Sequence, residues 1–287
     1  MAVYVSETQI GARLDTFVVG VMPRLSRAYA RKLCEDGHVE VNDAPRKSGH
    51  KLKPQDKIVI DYDQKELDII PDIDIPLLYE DDDCVVMNKP AGVLTHAQGE
   101  LNTEATVATF LRNKLSGDLS GARAGVVHRL DRATSGVIIG AKNQEALSWL
   151  QKQFAQRKVK KTYVAVVQGV PEQKEAIIDM PIERNPKAPA TFRVGANGKR
   201  SLTHYKVLAE GNGVSMLELK PETGRTHQLR VHLQKIGFPI IGDPLYGSGS
   251  FGDRLFLHAL SLEITLPSRE RKTFEAPLPP EFKDRLK

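Results

Sequence analysis

The 287-residue sequence predicts a mixed α+β fold, a largely antiparallel central sheet with flanking helices, preceded by a small α+β domain. Three observations lead there. Apolar stretches of strand length outnumber stretches with helical spacing, and the two kinds do not alternate regularly, which argues against a doubly wound parallel sheet. At about 150 residues per domain, the length allows roughly two domains. Charge divides the chain in the same way. Residues 11–60 hold ten basic and six acidic residues, residues 61–76 hold six acidic residues and one lysine, and residues 77–287 carry a net +7.

In the first block, Ser26 is placed to cap a helix. Ala30, Leu33 and Cys34 form its apolar stripe, and Gly37 stands where it should end. Arg27 and Arg31 are four apart and share a face, with Lys32 alongside. His38-Val39-Glu40-Val41-Asn42-Asp43 alternates and then turns, and Lys57–Ile60 is a second strand. The acidic stretch 61–76, with Pro71 and Pro76, is expected to be a linker.

In the second block, Cys84–Met87 is a buried-strand segment stopped by Lys89-Pro90-Ala91-Gly92. Thr103 is placed to cap a helix carrying Val107, Phe110 and Leu111. Ala124–Val127 and Gly136–Ile139 are expected as strands around a polar insert. Asn143 should cap a helix burying Ala146, Leu147, Leu150 and Phe154. Further strands are expected at Tyr163–Val167, 201–208, 214–220 and 255–266, with a helix near 226–236.

Composition excludes several classes. With 40% apolar and 27% charged residues the chain is globular rather than disordered. No apolar run approaches a membrane span, and the first residues lack the basic-then-apolar order of a signal peptide. Cys34 and Cys84 form no CxxC pair, which fits a reducing, cytoplasmic setting without a disulfide framework. His227 and His232 are five apart with no third ligand placed by spacing, so no metal site is expected. Gly247–Gly252 spells GxGxxG but leads into a strand instead of opening a helix, so a dinucleotide site is not expected. Two basic blocks on one chain point to a polyanion partner, and nucleic acid is the commonest.

Residues 11–60 resemble the alpha-L RNA-binding motif through Arg13-Leu14-Asp15, Leu25-Ser26-Arg27 to Leu33, Gly37–Asn42 and Lys53–Asp56. The resemblance implies that Arg27, Arg31 and Lys32 contact RNA phosphates, which position RNA without reading its sequence.

The most concentrated polar string is His128-Arg129-Leu130-Asp131-Arg132-Ala133-Thr134-Ser135-Gly136, between two apolar stretches. If strand geometry persists, Arg129 and Asp131 point to one side. The string resembles the HRLDxxTSG signature of RluA-type pseudouridine synthases. Asn88–Val93, Lys161–Gly169, Thr223–His232, Gly242–Gly247 and Leu257–Ala259 match in chain order. The resemblance covers about residues 77–270 and implies the pseudouridine synthase fold over 77–287. It makes Asp131 the catalytic aspartate, Tyr163 the active-site tyrosine and Arg230 the aspartate's basic partner. Arg129 is expected to hold the place or phosphate of a flipped-out nucleotide. Arg225 and Arg230 are separated by about 140° on a helix, so only Arg230 is expected to face Asp131. The implied reaction breaks the N1 glycosidic bond of a uridine, turns the base and rejoins it through C5. It is an isomerisation that needs no cofactor. The carboxylate can attack sugar or base, or remove a sugar proton. Large-subunit ribosomal RNA is the expected substrate, transfer RNA the main alternative, and a monomer the expected state. A non-catalytic RNA-binding assembly protein would not need the trio Asp131, Tyr163 and Arg230.

Overall fold

The computed structural model describes residues 2–22, 25, 27–62, 72–97, 104–116, 119, 123–247 and 254–287. The chain divides into two compact units, Met1–Asp72 with Ala97–Ala105, and Ile73–His96 with Thr106–Lys287. Among the described residues no helix is long and apolar enough to cross a membrane.

The first unit runs β1 (Ala2–Tyr4), α1 (Leu14–Val21), α2 (Arg27–Glu35), β2 (Val39–Val41), β3 (Ala44–Pro45) and β4 (Lys57–Ile60). Its antiparallel sheet has the order β1-β4-β2-β3. Ala2 pairs with Val59, so the unit begins ahead of residue 11, where the charge pattern started it. β1 covers the edge of β4, whose backbone would otherwise lie unpaired. Alternate residues Val39, Val41, Ile58 and Ile60 are buried with Leu14, Phe17, Val18, Ala30 and Leu33 in one core. Asn42 and Asp43 both have positive φ, 51° and 59°, which is the hairpin turn the sequence announced. α2 ends as expected: Gly37 takes φ +84°, and the His38 amide donates to the Leu33 carbonyl. The expected cap, Ser26, lies outside the described residues.

The second unit begins earlier than expected. Ile75, read above as linker, is 1% exposed among Val85, Met87 and Ile138, because burying its side chain outweighs the surrounding acids and prolines. Its early elements are β5 (Leu77–Glu80), β6 (Cys84–Lys89), α3 (Val107–Arg112), β7 (Ser135–Ala141), α4 (Gln144–Ala155) and β8 (Lys160–Gln168). They are followed by β9 (Glu175–Asp179), β10 (Ile182–Arg184), β11 (Phe192–Val194), β12 (Leu202–Gly211) and β13 (Val214–Pro221). The chain ends with α5 (Gln228–Lys235), β14 (Leu257–Thr265), β15 (Arg271–Glu275) and α6 (Glu281–Asp284). The main sheet has the order β5-β6-β7-β14-β8-β13-β12-β9, with β15 on β14. Among the described strands only β7 and β14 run parallel, so the mixed, largely antiparallel expectation holds.

Asn143 caps α4 as expected, accepting from the Ala146 amide at 2.8 Å. α3 is capped by Thr106, which exchanges hydrogen bonds with Thr109, whereas Thr103 lies outside the described residues. Ala124–Val127 is not a strand. Val126 makes one isolated bridge to Gly140, and residues 128–134 are not part of a strand, with a turn at Asp131–Thr134 closed by the Thr134 amide on the Asp131 carbonyl. Gly140 has no side chain here because a Cβ would sit 2.6 Å from Leu111. Residues 248–252 of the glycine string lie outside the described residues.

Candidate active site

Asp131 stands on the turn that precedes β7, and its neighbours pin it from both sides. Thr95 Oγ1 donates to the Leu130 carbonyl at 2.8 Å and accepts from the Leu130 amide at 3.1 Å. The Arg132 carbonyl accepts from the Gly92 amide at 2.8 Å and from Lys89 Nζ at 3.2 Å. Lys89 is fully buried and also donates to the carbonyls of Pro90 and Val93, both at 2.8 Å. Burial pulls its ammonium down to about 7, with the Asp131 charge opposing the fall. The NKPAG string therefore clamps the turn that carries the aspartate.

The Thr-Ser-Gly that follows seats the turn on the sheet. Gly136 has φ +113°, and a Cβ there would meet the Ala259 carbonyl at 2.2 Å, so only glycine admits the close β7–β14 approach. Arg254 Nη2 donates to Ser135 Oγ, leaving that hydroxyl to donate to His258 Nδ1 at 2.8 Å. His128 lines the edge of the cavity described below and is held by packing. Its ring stacks on Phe154 at 4.4 Å and its Nε2 accepts from the Ile139 amide, and burial pushes its imidazole down to about 3.

Arg230 lies on α5 with 3% exposure. Its Nε and Nη2 both reach Asp243 at 2.7 Å, while Nη1 reaches Asp131 Oδ2 at 3.4 Å. Asp243 is itself buried and accepts from the Leu245 and Tyr246 amides. The Tyr246 ring covers the guanidinium, 5.0 Å from ring centre to Cζ. His227, just ahead of α5, places Nε2 3.8 Å from Asp131 Oδ2. Tyr163 lines the same space from β8, and burial together with the Asp131 charge raises its phenol above the ordinary value. Asp131, Tyr163 and Arg230 thus line one cavity, while the sequence analysis named neither Asp243 nor Lys89 nor His227 as site residues.

These groups open onto a cavity of about 510 Å³ lined by Asp131, Tyr163, His227 and Arg230. That is room for one flipped nucleotide with its flanking phosphates. Four more cations line it: Arg129, Arg157, Lys161 and Arg225. Burial lowers Lys161 to about 8. Arg129 is exposed, and although it and Asp131 are not on a strand, both line the cavity with Leu130 buried between them. The helix begins only at Gln228, so Arg225 lies in the preceding loop and the helical angle between it and Arg230 does not apply. Of the two carboxylates in the lining, Glu222 pairs with His204 at 2.8 Å and is 58% exposed, whereas Asp131 is 19% exposed.

In the first unit, Asp15 is buried and binds Arg13 through two hydrogen bonds, at 3.0 and 2.8 Å, and Arg27 at 3.4 Å. The Arg13 bond holds its carboxyl down to about 2. Arg31 pairs with Glu35 at 2.8 Å. Arg27 and Arg31 are therefore partly neutralised inside the chain although both are more than half exposed, and Lys32 is exposed.

The family model described as RNA pseudouridylate synthase matches residues 83–235, more than half of the chain, and the S4 domain model matches residues 12–58. This chain belongs to the RNA pseudouridine synthase family. As a member it is an isomerase that binds RNA. It is 36% identical over 289 residues to the uncharacterized RNA pseudouridine synthase YlyB of Bacillus subtilis, covering 96% of this chain and 93% of that one. It is 37% identical to the ribosomal large subunit pseudouridine synthase D of Nitrosomonas europaea, over 96% of this chain and 83% of the other. The solved structure of human RNA pseudouridylate synthase domain containing 1 is 32% identical, with a TM-score of 0.60 over 72% of this chain and 85% of that one. The pseudouridine synthase fold therefore accounts for the mixed sheet around Asp131.

Proposed function

We propose that this synthase isomerises uridines in large-subunit ribosomal RNA in the cytoplasm, as a monomer. Asp131, Tyr163 and Arg230 form its catalytic centre in the unit that follows the linker. The observation that carries the reading is the approach of Asp131 to Arg230, 3.4 Å apart at a cavity of nucleotide size. The target base leaves its stack, at a cost of a few kcal/mol, and enters that cavity. There the C1′–N1 bond breaks and the base turns. C1′ then bonds to C5, whose proton is lost while N1 gains one, so no atom is added overall. Asp131 meets the nucleoside, attacking sugar or base or removing a sugar proton. The Tyr163 ring holds the uracil through its turn. Arg129, Arg157, Lys161 and Arg225 draw the phosphates to the cavity, and Arg129 takes the place of the flipped nucleotide. The first unit adds phosphate contacts through Arg27, Arg31 and Lys32.

Ribosomal RNA is favoured over transfer RNA by the name of the Nitrosomonas relative. Pseudouridine mapping across ribosomal and transfer RNA, with and without this gene, tests the substrate. A site lost only from large-subunit ribosomal RNA is expected. Loss confined to transfer RNA would overturn the choice.

A further inference from the structure

The second ring beside the aspartate also has its protons ordered. The Phe192 amide donates to Tyr246 Oη at 2.8 Å. That bond takes one lone pair of Oη and leaves the phenol proton free, and with the phenol donating to His227 Nδ1, 2.8 Å away, the ring accepts there. The imidazole proton then resides on Nε2, the nitrogen 3.8 Å from Asp131 Oδ2. The opposite tautomer would aim a lone pair at the carboxylate. Burial lowers the ring's proton affinity, so it stays neutral at ordinary pH. Phe192 meets the His227 ring edge-on at 5.6 Å, and Tyr246 does so at the same distance. His227 also occupies the left-handed region, φ +57°, ahead of α5, a conformation that non-glycine residues keep only when their surroundings impose it.

We propose that His227 is a positioning residue that pins Oδ2 of Asp131 together with Arg230 and leaves Oδ1 to meet the nucleoside. Arg230 and His227 both approach Oδ2, and among the described residues no hydrogen bond is made to Oδ1. The two distances, 3.4 and 3.8 Å, are long for hydrogen bonds, a spacing that in active sites often tightens on substrate binding. Tyr246 acts one step further out. It fixes the tautomer of His227 and covers Arg230, yet among the described residues it is not part of the cavity lining. One turn, Asp243 to Tyr246, thus sets both groups that hold the carboxylate. Asp243 holds Arg230, and Tyr246 holds His227.

The inference rests on Asp131 being the reacting carboxylate, and the experiment separates the two. Single-turnover isomerisation at saturating RNA and the RNA dissociation constant are measured for the full chain and four variants. His227→Ala is expected to slow the chemical step by about 10²-fold, the size of effect that a small misplacement of a reacting group produces. RNA affinity should stay within about twofold, since phosphate contacts supply it. His227→Gln, whose amide nitrogen reaches the place of Nε2, is expected to recover most of the lost rate. Tyr246→Phe keeps the ring over Arg230 and loses only the hydroxyl, and should reproduce part of the His227→Ala defect. If His227→Ala fails to fold, His227→Gln and Tyr246→Phe carry the test. A wild-type rate in Tyr246→Phe, or a folded His227→Gln as slow as the alanine variant, overturns the proposal. Turnover by Asp131→Asn would overturn the parent reading. An inert Asp131→Asn beside an unimpaired His227→Ala would overturn this inference alone.

Discussion

Asp243 grips Arg230 through both of its carboxylate oxygens, at 2.7 Å each, and the same guanidinium reaches Asp131 at 3.4 Å. The cation facing Asp131 is therefore already neutralised from behind. It orients Asp131 without cancelling the negative charge of the site. Two charges, one on each side of a planar fork, also fix the guanidinium plane, which a lysine ammonium could not do.

Asp243→Asn keeps the shape of the side chain and leaves Arg230 buried beside a neutral partner. Breaking a buried pair from one side costs about 3–5 kcal/mol, and the retained amide oxygen puts the expected loss at the lower end of that range. Urea unfolding should show this loss, and the single-turnover rate should fall with little change in RNA affinity. Unchanged stability would mean that solvent reaches the pair and that the cation is not fixed as described.

Two histidines make stability depend on acid pH. Burial holds His128 at about 3 and His258 at about 4, against an unfolded value of about 6.5. Between those values the unfolded chain binds more protons than the folded one. Stability is therefore complete above about pH 6.5 and falls as the pH is lowered toward 4. The slope approaches about 1.4 kcal/mol per pH unit for each histidine. Urea midpoints measured from pH 7.5 to 4.5 should decline, and His128→Phe, which preserves the stack on Phe154, should make the decline shallower. A pH-independent midpoint would contradict the burial of these rings.

Much of this was legible in the sequence, and the failures have physical causes. The helix capped by Asn143, the turn at Asn42-Asp43 and the stop at Gly37 were readable because local chemistry alone decides them. Ile75 was misread because acids and prolines around it look like a linker, while its burial depends on residues far along the chain. The same limit hid Asp243. Its string was visible, but its partner is 13 residues away, and nothing local says that a carboxylate there is fully enclosed. Arg157 carried no signal beyond a basic run. Spacing argued against His227 as a metal ligand, but its contacts with Tyr246 and Asp131 are made across the fold and carry no local signal.

Salt dependence distinguishes free cations from paired ones. Arg157→Gln and Arg225→Gln each should flatten the log–log dependence of RNA affinity on salt, by about 0.9 on duplex or 0.7 on single strands for each phosphate no longer neutralised. Within α2, Lys32→Gln should have the larger effect and Arg31→Gln the smaller, because Arg31 is already paired with Glu35. Equal effects from Lys32→Gln and Arg31→Gln would mean that RNA displaces Glu35 from Arg31.

The most direct test of the site follows tritium released from C5 of uridine in RNA by Asp131→Asn. The variant keeps the size of the side chain and can still accept from Arg230, but it loses the charge and the carboxylate. Folding, by circular dichroism, and RNA affinity should match the unmodified protein, while tritium release at saturating RNA should fall below detection. Sustained release by a folded Asp131→Asn, above what a preparation free of wild-type enzyme gives, would mean that another group performs the chemistry.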